Sequence, residues 1–338
     1  MAPDSSAPWR RRFAGRRRDR SRERSGPEGA RPHGAVRDVA AVAVVTTAAL
    51  TAVLSVSATH RHVPAAPVPA VPGTTTPEVP ADVVSGEAER HVEVDFDDVV
   101  GTALAGVTGG GRAEYSVAIT DTASGDSAVY GQGAYDTASI VKVDILAALL
   151  LQAQDAGRAL TAHERARAEV MIEDSDNAAA LELWQRIGRA AGLDAANKRL
   201  GLTGTTGGGG LLWGLTQTTA ADQLTLLRGV FGSHGVLDTA SRTYIRQLMG
   251  RVDAGQNWGV TSAADGDFEV KNGWLQRSTT SLWDINSIGR ITSGGHTYLV
   301  AVVSRGSATQ AEGIALVEDA AEAAVAAFTR AAGGSAAS

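Results

Sequence analysis

Twenty-one consecutive residues without a charge, Val39 to Thr59 (VAAVAVVTTAALTAVLSVSAT), divide this chain into unlike parts. As one helix the run would span roughly 31 Å, about the thickness of a bilayer's hydrocarbon core. The stretch before it is polar and cationic: residues 1–38 carry eleven Arg, including Arg10–Arg12 and Arg16–Arg18, against five acidic residues. So few apolar side chains predict a disordered head. Arg on the N-terminal flank predicts an N-terminus inside and a C-terminus outside. The run therefore reads as a transmembrane signal-anchor at residues 39–59. Cleavage after Ala58 is the alternative, because small residues stand at the right offsets in Val56-Ser57-Ala58.

The chain beyond the run is extended. Residues 60–91 hold PAAPVPAVPGTTTPEVP, and repeated proline fixes φ and favours polyproline II, a semi-rigid linker. The folded part is expected over residues 92–330, with a disordered tail at 331–338. Net charge is just as unevenly spread. The formal total of -6 hides a basic head, because the chain beyond residue 38 holds 20 basic against 32 acidic residues. There is no cysteine, so disulfides, thiolate chemistry and Cys-based zinc sites are excluded. A domain of about 240 residues is large enough to do without them.

Within 92–330 the periodicities change in order. Val94–Val107 reads as a helix. Tyr115–Thr120 alternates as a strand, Asp121–Asp126 turns, and Ser127–Tyr130 returns. From Ser139 to about Thr243 the pattern is helical. Strand-like runs come back at Phe268–Trp274, Leu282–Thr292 and Thr297–Ser304, and Ile314–Phe328 is an Ala-rich helix. The expected fold class is α+β: an antiparallel five-stranded sheet flanked by N- and C-terminal helices, with an inserted all-helical lobe. A cleft between lobe and sheet is the natural place for a site.

Three short motifs fall around that cleft. Ser139-Ile140-Val141-Lys142 opens an apolar helix. A Ser there lies in the positive end of the helix dipole, and Lys142, one turn on, lies on the same face. It can share a hydrogen bond with the hydroxyl and accept its proton, provided burial lowers its pKa. The plain alternative is a helix-capping Ser with an unrelated surface Lys. Ser175-Asp176-Asn177 comes after the helical run Ala162–Glu173. Ser175 can relay a proton between two lysines, and Asn177 can orient Lys142 and hold a substrate carbonyl. All three residue types are also good helix N-caps. Lys271-Asn272-Gly273 lies late in a strand. Lys271 would attract a substrate carboxylate, Gly273 would let a substrate backbone lie close, and the Trp274 N–H would join that of Ser139 as an oxyanion hole. An exposed Asn-Gly turn is the alternative here.

In this order and context the three motifs resemble the class A β-lactamase-like serine hydrolases, the penicillin-recognising acyl-serine enzymes. The resemblance spans about residues 92–330 and includes ITDTASGDSAVY and TTAADQLTLL (Thr218–Leu227). It implies that Ser139 attacks a lactam or amide carbonyl and that Lys142 takes its proton. It further implies that Ser175 passes a proton to the leaving nitrogen, that Asn177 positions substrate, and that Lys271 fixes the substrate carboxylate.

Three departures bear on activity. Class A enzymes use an omega-loop Glu to activate the deacylating water, and between Asp194 and Asp222 this chain has no Asp or Glu. A long-lived acyl-enzyme is the expectation. The usual Lys-Thr/Ser-Gly reads Lys-Asn-Gly, so Asn272 would have to supply the donor to a substrate carboxylate. Only 32 residues separate Lys142 from Ser175, fewer than the family usually has, so a more open cleft is expected.

The expected function is that of a membrane-anchored, extracytoplasmic serine hydrolase acting on a lactam, peptide or amide. The rival is a non-catalytic sensor of cell-wall fragments. The expected partners are a small-molecule or cell-wall-like peptide substrate and membrane lipid through the anchor, with no nucleic acid and a monomeric state. No cofactor or metal is expected. The seven His are scattered without an HExxH pair, and Gly207–Gly210 lacks the Lys-Ser/Thr of a P-loop.

Overall fold

The structure, a computed structural model, describes residues 94–335. The Arg-rich head, the uncharged run and the Pro-rich linker expected over 1–91 lie outside the described residues. Among the described residues no helix is long and apolar enough to cross a membrane.

Helix α1 (Phe96–Leu104) begins where Asp95 accepts from the backbone N–H groups of Asp97 and Asp98, the side-chain capping that orphan amides require. Strands β1 (Glu114–Asp121) and β2 (Ser127–Tyr130) form a hairpin. The helical lobe comes next: α2 (Val141–Asp155), α3 (Ala162–Glu173), α4 (Asn177–Arg186), α5 (Arg189–Leu200), α6 (Ala220–Phe231) and α7 (Thr239–Met249). Strands β5 (Phe268–Gln276), β6 (Trp283–Ser293) and β7 (His296–Arg305) then complete the sheet, and α8 (Gln310–Ser335) closes the chain. The five strands run antiparallel in the order β2-β1-β7-β6-β5. Two findings differ from the sequence reading. A second sheet pairs β3 (Tyr135–Asp136) with β4 (Gln217–Thr218), two-residue strands too short to leave a periodicity. The last helix continues through Gly333 and Gly334 to Ser335, so it takes in most of the stretch expected as a tail.

Both faces of the sheet are covered, and β7 shows why. Leu299, Ala301 and Val303 point into the cluster formed with the helical lobe. Tyr298, Val300 and Val302 point into a second cluster with α1 and α8. This is the period of two expected of a strand, buried on both sides. Helix α2 is buried nearly all round, from Val141 to Leu151, as befits a helix at the centre of its lobe. The turn that leads into it rests on strand β5, which is the free edge of the sheet. That contact between lobe and sheet is where the three motifs meet.

Candidate active site

Ser139 stands in a 3₁₀ turn, Ala138–Ile140, that runs directly into α2. The residue before it, Ala138, has φ +46, a left-handed conformation that a non-glycine residue adopts only under constraint. The constraint is visible. Buried Asn286 on β6 donates to the carbonyls of Asp136 (2.8 Å) and Thr137 (3.0 Å), and its own oxygen accepts from the Ser304 N–H at 2.9 Å. On the other side the Thr137 N–H donates to the Thr216 carbonyl at 2.8 Å. The turn is held between sheet and loop, and Ser139 remains partly accessible.

Gly273 on β5 packs against this turn. A Cβ there would come within 2.7 Å of the Ser139 nitrogen, 2.8 Å of the Ile140 nitrogen and 2.9 Å of the Thr137 carbonyl oxygen. The glycine therefore admits the Ser139 turn itself, rather than the substrate backbone expected from the sequence. It also brings the Trp274 peptide beside the Ser139 amide. The Trp274 ring is turned away and packs on Trp258, with centroids 5.9 Å apart.

Lys142 is fully buried. Its Nζ donates to the Ser175 carbonyl (2.6 Å), Ser175 Oγ (2.9 Å) and Asn177 Oδ1 (2.9 Å). Lys271, also fully buried, donates to the same Ser175 Oγ at 3.1 Å, to Gln256 Oε1 at 3.3 Å and to the Asn272 carbonyl at 3.1 Å. Two amines thus share one hydroxyl. Burial pushes Lys142 down to about 7, against a partial upward pull from Asp176. Burial and the neighbouring Lys142 push Lys271 well below the ordinary lysine range. Like charges this close disfavour double protonation. When Lys142 is neutral it has one lone pair and two N–H groups. Ser175 Oγ is the partner that can reverse, donating its own proton to that lone pair while still accepting from Lys271.

The sequence expected a hydrogen bond between Ser139 and Lys142. Among the described hydrogen bonds none joins them. The three acceptors in front of Lys142 belong to Ser175 and Asn177, which draw the amine across the cleft. Ser175 manages this with a left-handed backbone, φ +56, that turns both its carbonyl and its hydroxyl toward Lys142. Capping falls to its neighbour: Asp176 accepts from the Ala179 N–H at 2.6 Å and starts α4. The motif thus divides its contacts: Ser175 and Asn177 bond to Lys142, and Asp176 caps α4.

Asn272 is a correction. It alternates with Lys271 and Gly273, so it faces the opposite side of β5, fully buried. Its amide donates to the carbonyls of Gln256 (2.6 Å) and Trp258 (2.9 Å). It braces the segment that carries Gln256, which in turn accepts from Lys271, and it is in no position to donate to a substrate.

The loop between α5 and α6 contains the residue that sequence reasoning missed. The two carboxylates at its ends are occupied: Asp194 accepts from the Gly207 N–H, and Asp222 from the Gly204 N–H and the Thr205 hydroxyl. Gln217 is tied to Asp136. The loop instead presents Trp213, whose ring lies over Lys142 Nζ at 5.0 Å from its centroid. A lone Trp in a stretch of Gly, Leu and Thr was a visible signal, but nothing in the spacing said where it would point. The other polar residue missed is Asn286, legible only as one more strand position. Among the described residues no cluster of His, Cys, Asp and Glu could hold a metal ion. A cavity of about 500 Å³ lined by Leu150, Gln154, Arg158 and Tyr244 lies at the far end of α2 from Ser139. It is the set of polar groups, rather than cavity size, that marks the site.

Residues 163–328 match the β-lactamase enzyme family. That segment includes Ser175 and Lys271, while Ser139 and Lys142 join it through the fold. No curated protein matches the chain in sequence. Among solved structures, PBP-A is similar at 20% identity with a TM-score of 0.59, over 69% of this chain and 96% of that one. A variant of PBP-A described as an acyl-enzyme complex with penicillin G is similar at 20% identity and TM-score 0.59, over 69% and 97%. A class A β-lactamase from Bacteroides cellulosilyticus is similar at 15% identity and TM-score 0.60, over 70% and 99%. The TLA-1 extended-spectrum β-lactamase is similar at 14% and 0.61, over 69% and 99%. At these identities the likeness to solved structures is one of fold.

Proposed function

We propose that this chain, whose fold is that of the β-lactamase-like serine hydrolases, forms an acyl-serine at Ser139 on a lactam, peptide or amide substrate and releases the acyl group slowly. The observation that carries this reading is the hydroxyl of Ser175 held between two buried amines, 2.9 Å from Lys142 and 3.1 Å from Lys271. That arrangement makes a neutral amine available near neutral pH and gives a proton a path to a leaving nitrogen. Lys142 takes the Ser139 proton as Oγ attacks. The tetrahedral oxyanion is stabilised by the Ser139 and Trp274 N–H groups, and Ser175 returns the proton to the departing nitrogen. Asn177, exposed beside Lys142, orients the acyl amide, and Lys271, when it holds the proton that Lys142 gives up, supplies positive potential for a carboxylate.

Slow release is a consequence of the loop. A water attacking the acyl ester needs a base, and the two carboxylates flanking the loop are committed to its own backbone. A PBP-A variant is described as an acyl-enzyme complex with penicillin G, and penicillin is the probe of choice here. Intact mass of the purified protein, monitored over time after penicillin exposure, tests both halves. A persistent adduct on Ser139 is the expected result, and rapid turnover without one would sink the slow-release half. We further propose that the domain stands outside the membrane on the Pro-rich linker, anchored by residues 39–59 or released by cleavage near Ala58. The cationic head and the uncharged run support this. One observation favours the rival, a cell-wall-fragment binder: Lys142 spends its donors on Ser175 and Asn177 and none on Ser139. Complete inertness of Ser139 to penicillins and activated esters would select that reading.

A further inference from the structure

We propose that Trp213 is a positioning residue for the site: its indole covers one side of Lys142 and keeps water from the amine. The inference rests on the acyl-serine reading and adds to it the group that controls the base. The geometry is specific. Three oxygens occupy one side of Lys142 Nζ, and the Trp213 ring covers another at 5.0 Å. The 3₁₀ turn that carries it, Trp213–Leu215, is seated on the nucleophile turn, since a Cβ on Gly214 would lie 3.8 Å from Ala138 Cα. The seat is fastened at both ends. The Thr137 N–H donates to the Thr216 carbonyl at 2.8 Å, and buried Trp184 donates from Nε1 to the Gly210 carbonyl at 2.9 Å. The cover is therefore built into the same contacts that hold Ser139.

Two effects of the ring oppose each other. Its π face attracts an ammonium, which favours the charged amine. Its bulk displaces the water that would solvate that ammonium, which favours the neutral one. Lys142 has no exposed surface, and burial is the leading cause that lowers its pKa to about 7; if the ring's share of that burial outweighs its π attraction, removing it should raise the pH at which Lys142 deprotonates.

The test is a pH profile on folded protein. The Lys142 midpoint is read by NMR of ¹⁵N-lysine-labelled protein without substrate, and the acylation midpoint with a fluorescent penicillin between about pH 5.5 and 9, a range that brackets a base titrating near neutrality. Trp213→Phe keeps a flat apolar cover and should leave both midpoints near those of the wild type. Trp213→Ala, and Trp213→Gln as a bulkier polar replacement should the alanine variant not fold, should move both up by about one pH unit or more. Unchanged midpoints in a folded Ala or Gln variant, or an equal shift in the Phe variant, would overturn the proposal. If the wild type is never acylated, the functional reading fails by itself, while the NMR midpoint still decides whether Trp213 controls Lys142.

Discussion

The two walls of the cleft are built on opposite principles. One wall, made by α2, the turn before α4, and β5, is dense in polar groups that answer one another: Lys142, Ser175, Asn177, Lys271 and Gln256 are joined by hydrogen bonds of 2.6–3.3 Å. The other wall, the loop from Leu202 to Thr219, donates its Gly204 and Gly207 N–H groups and the Thr205 hydroxyl to Asp222 and Asp194 on the flanking helices and offers an indole to the cleft. Residues Leu211 and Leu212 beside that indole are exposed. Acylation needs a base and a proton path on the first wall; deacylation by water needs a second base on the other. The difference teaches that, under the proposed reading, the groups acylation needs and the base deacylation needs are set by separate walls, and only the first wall is polar.

The comparison breaks most sharply at Ser139. Ser139→Ala should abolish covalent labelling entirely, and any adduct on the variant, located by peptide mass, would place the nucleophile elsewhere. Gly273→Ala tests whether the two walls are held at the right separation. A methyl within 2.7–2.9 Å of three backbone atoms must displace β5 from the nucleophile turn, and a shift on the order of 1 Å costs roughly 10²-fold in acylation rate. Labelling kinetics at equal protein stability would show it.

The pH dependence is a smaller and more diagnostic effect. Lys142 acts as a base only when neutral, and its pKa is lowered to about 7. The acylation rate should rise about tenfold per pH unit below that point and level off above it, as stopped-flow labelling would reveal. Stability has its own sign. Because Lys142 and Lys271 bind protons less readily folded than unfolded, the unfolded chain holds more protons between the depressed values and the ordinary lysine range. Their contribution to stability should therefore rise with pH through that window, and for Lys142 the penalty should be complete below about pH 7.

Two further substitutions sharpen the contrast between what looks functional and what is structural. Asn272→Ala should cost roughly 1–3 kcal/mol, because two buried carbonyls lose their donor. Its effect on the affinity for a carboxylate-bearing penicillin should stay within about threefold of the stability-corrected wild type. Denaturant melts and labelling saturation separate the two. Asp144, two residues beyond Lys142, is fully buried with both oxygens unpartnered. Burial, with Asp222 adding to it, raises its carboxyl to about 7. A raised carboxyl is a penalty that grows as pH climbs from its ordinary value and continues to grow until about 7. Asp144→Asn should thus raise the melting temperature at about pH 8 by about 2–4 °C, and by less at about pH 5, in calorimetric scans.

Much of the architecture was legible. The period of two in Phe268–Trp274 and Thr297–Ser304, the helical stretch between them and the hairpin, and the Ala-rich last helix reflect burial patterns that neighbours in sequence create by themselves. The meeting of Lys142, Ser175 and Lys271 was legible as a candidate cluster for a similar reason: each belongs to a short motif at or near the end of an element whose start or stop is written locally. Three things were not. The β3–β4 pair is too short for periodicity. Asn272 read as a ligand donor because its motif suggested it, whereas alternation along β5 sends it to the opposite face from Lys271. Where Trp213 and Asn286 point has no local signature, since their partners lie 71 and 150 residues away.

The sequence by itself determined which chemistry this chain can attempt. It supplies a serine, two lysines and a bridging serine hydroxyl in order, no cysteine, and no carboxylate in the loop where a water-activating one would stand. Those are properties of composition and order, and folding cannot change them. Tertiary structure alone decided how the groups are wired. It bonded Lys142 to Ser175 and Asn177 instead of Ser139, turned Asn272 into a brace, used Gly273 to admit the nucleophile turn, and laid Trp213 over the amine. The physical reason is that protonation and direction depend on burial and on partners distant in the chain, and neither exists until lobe and sheet have packed together.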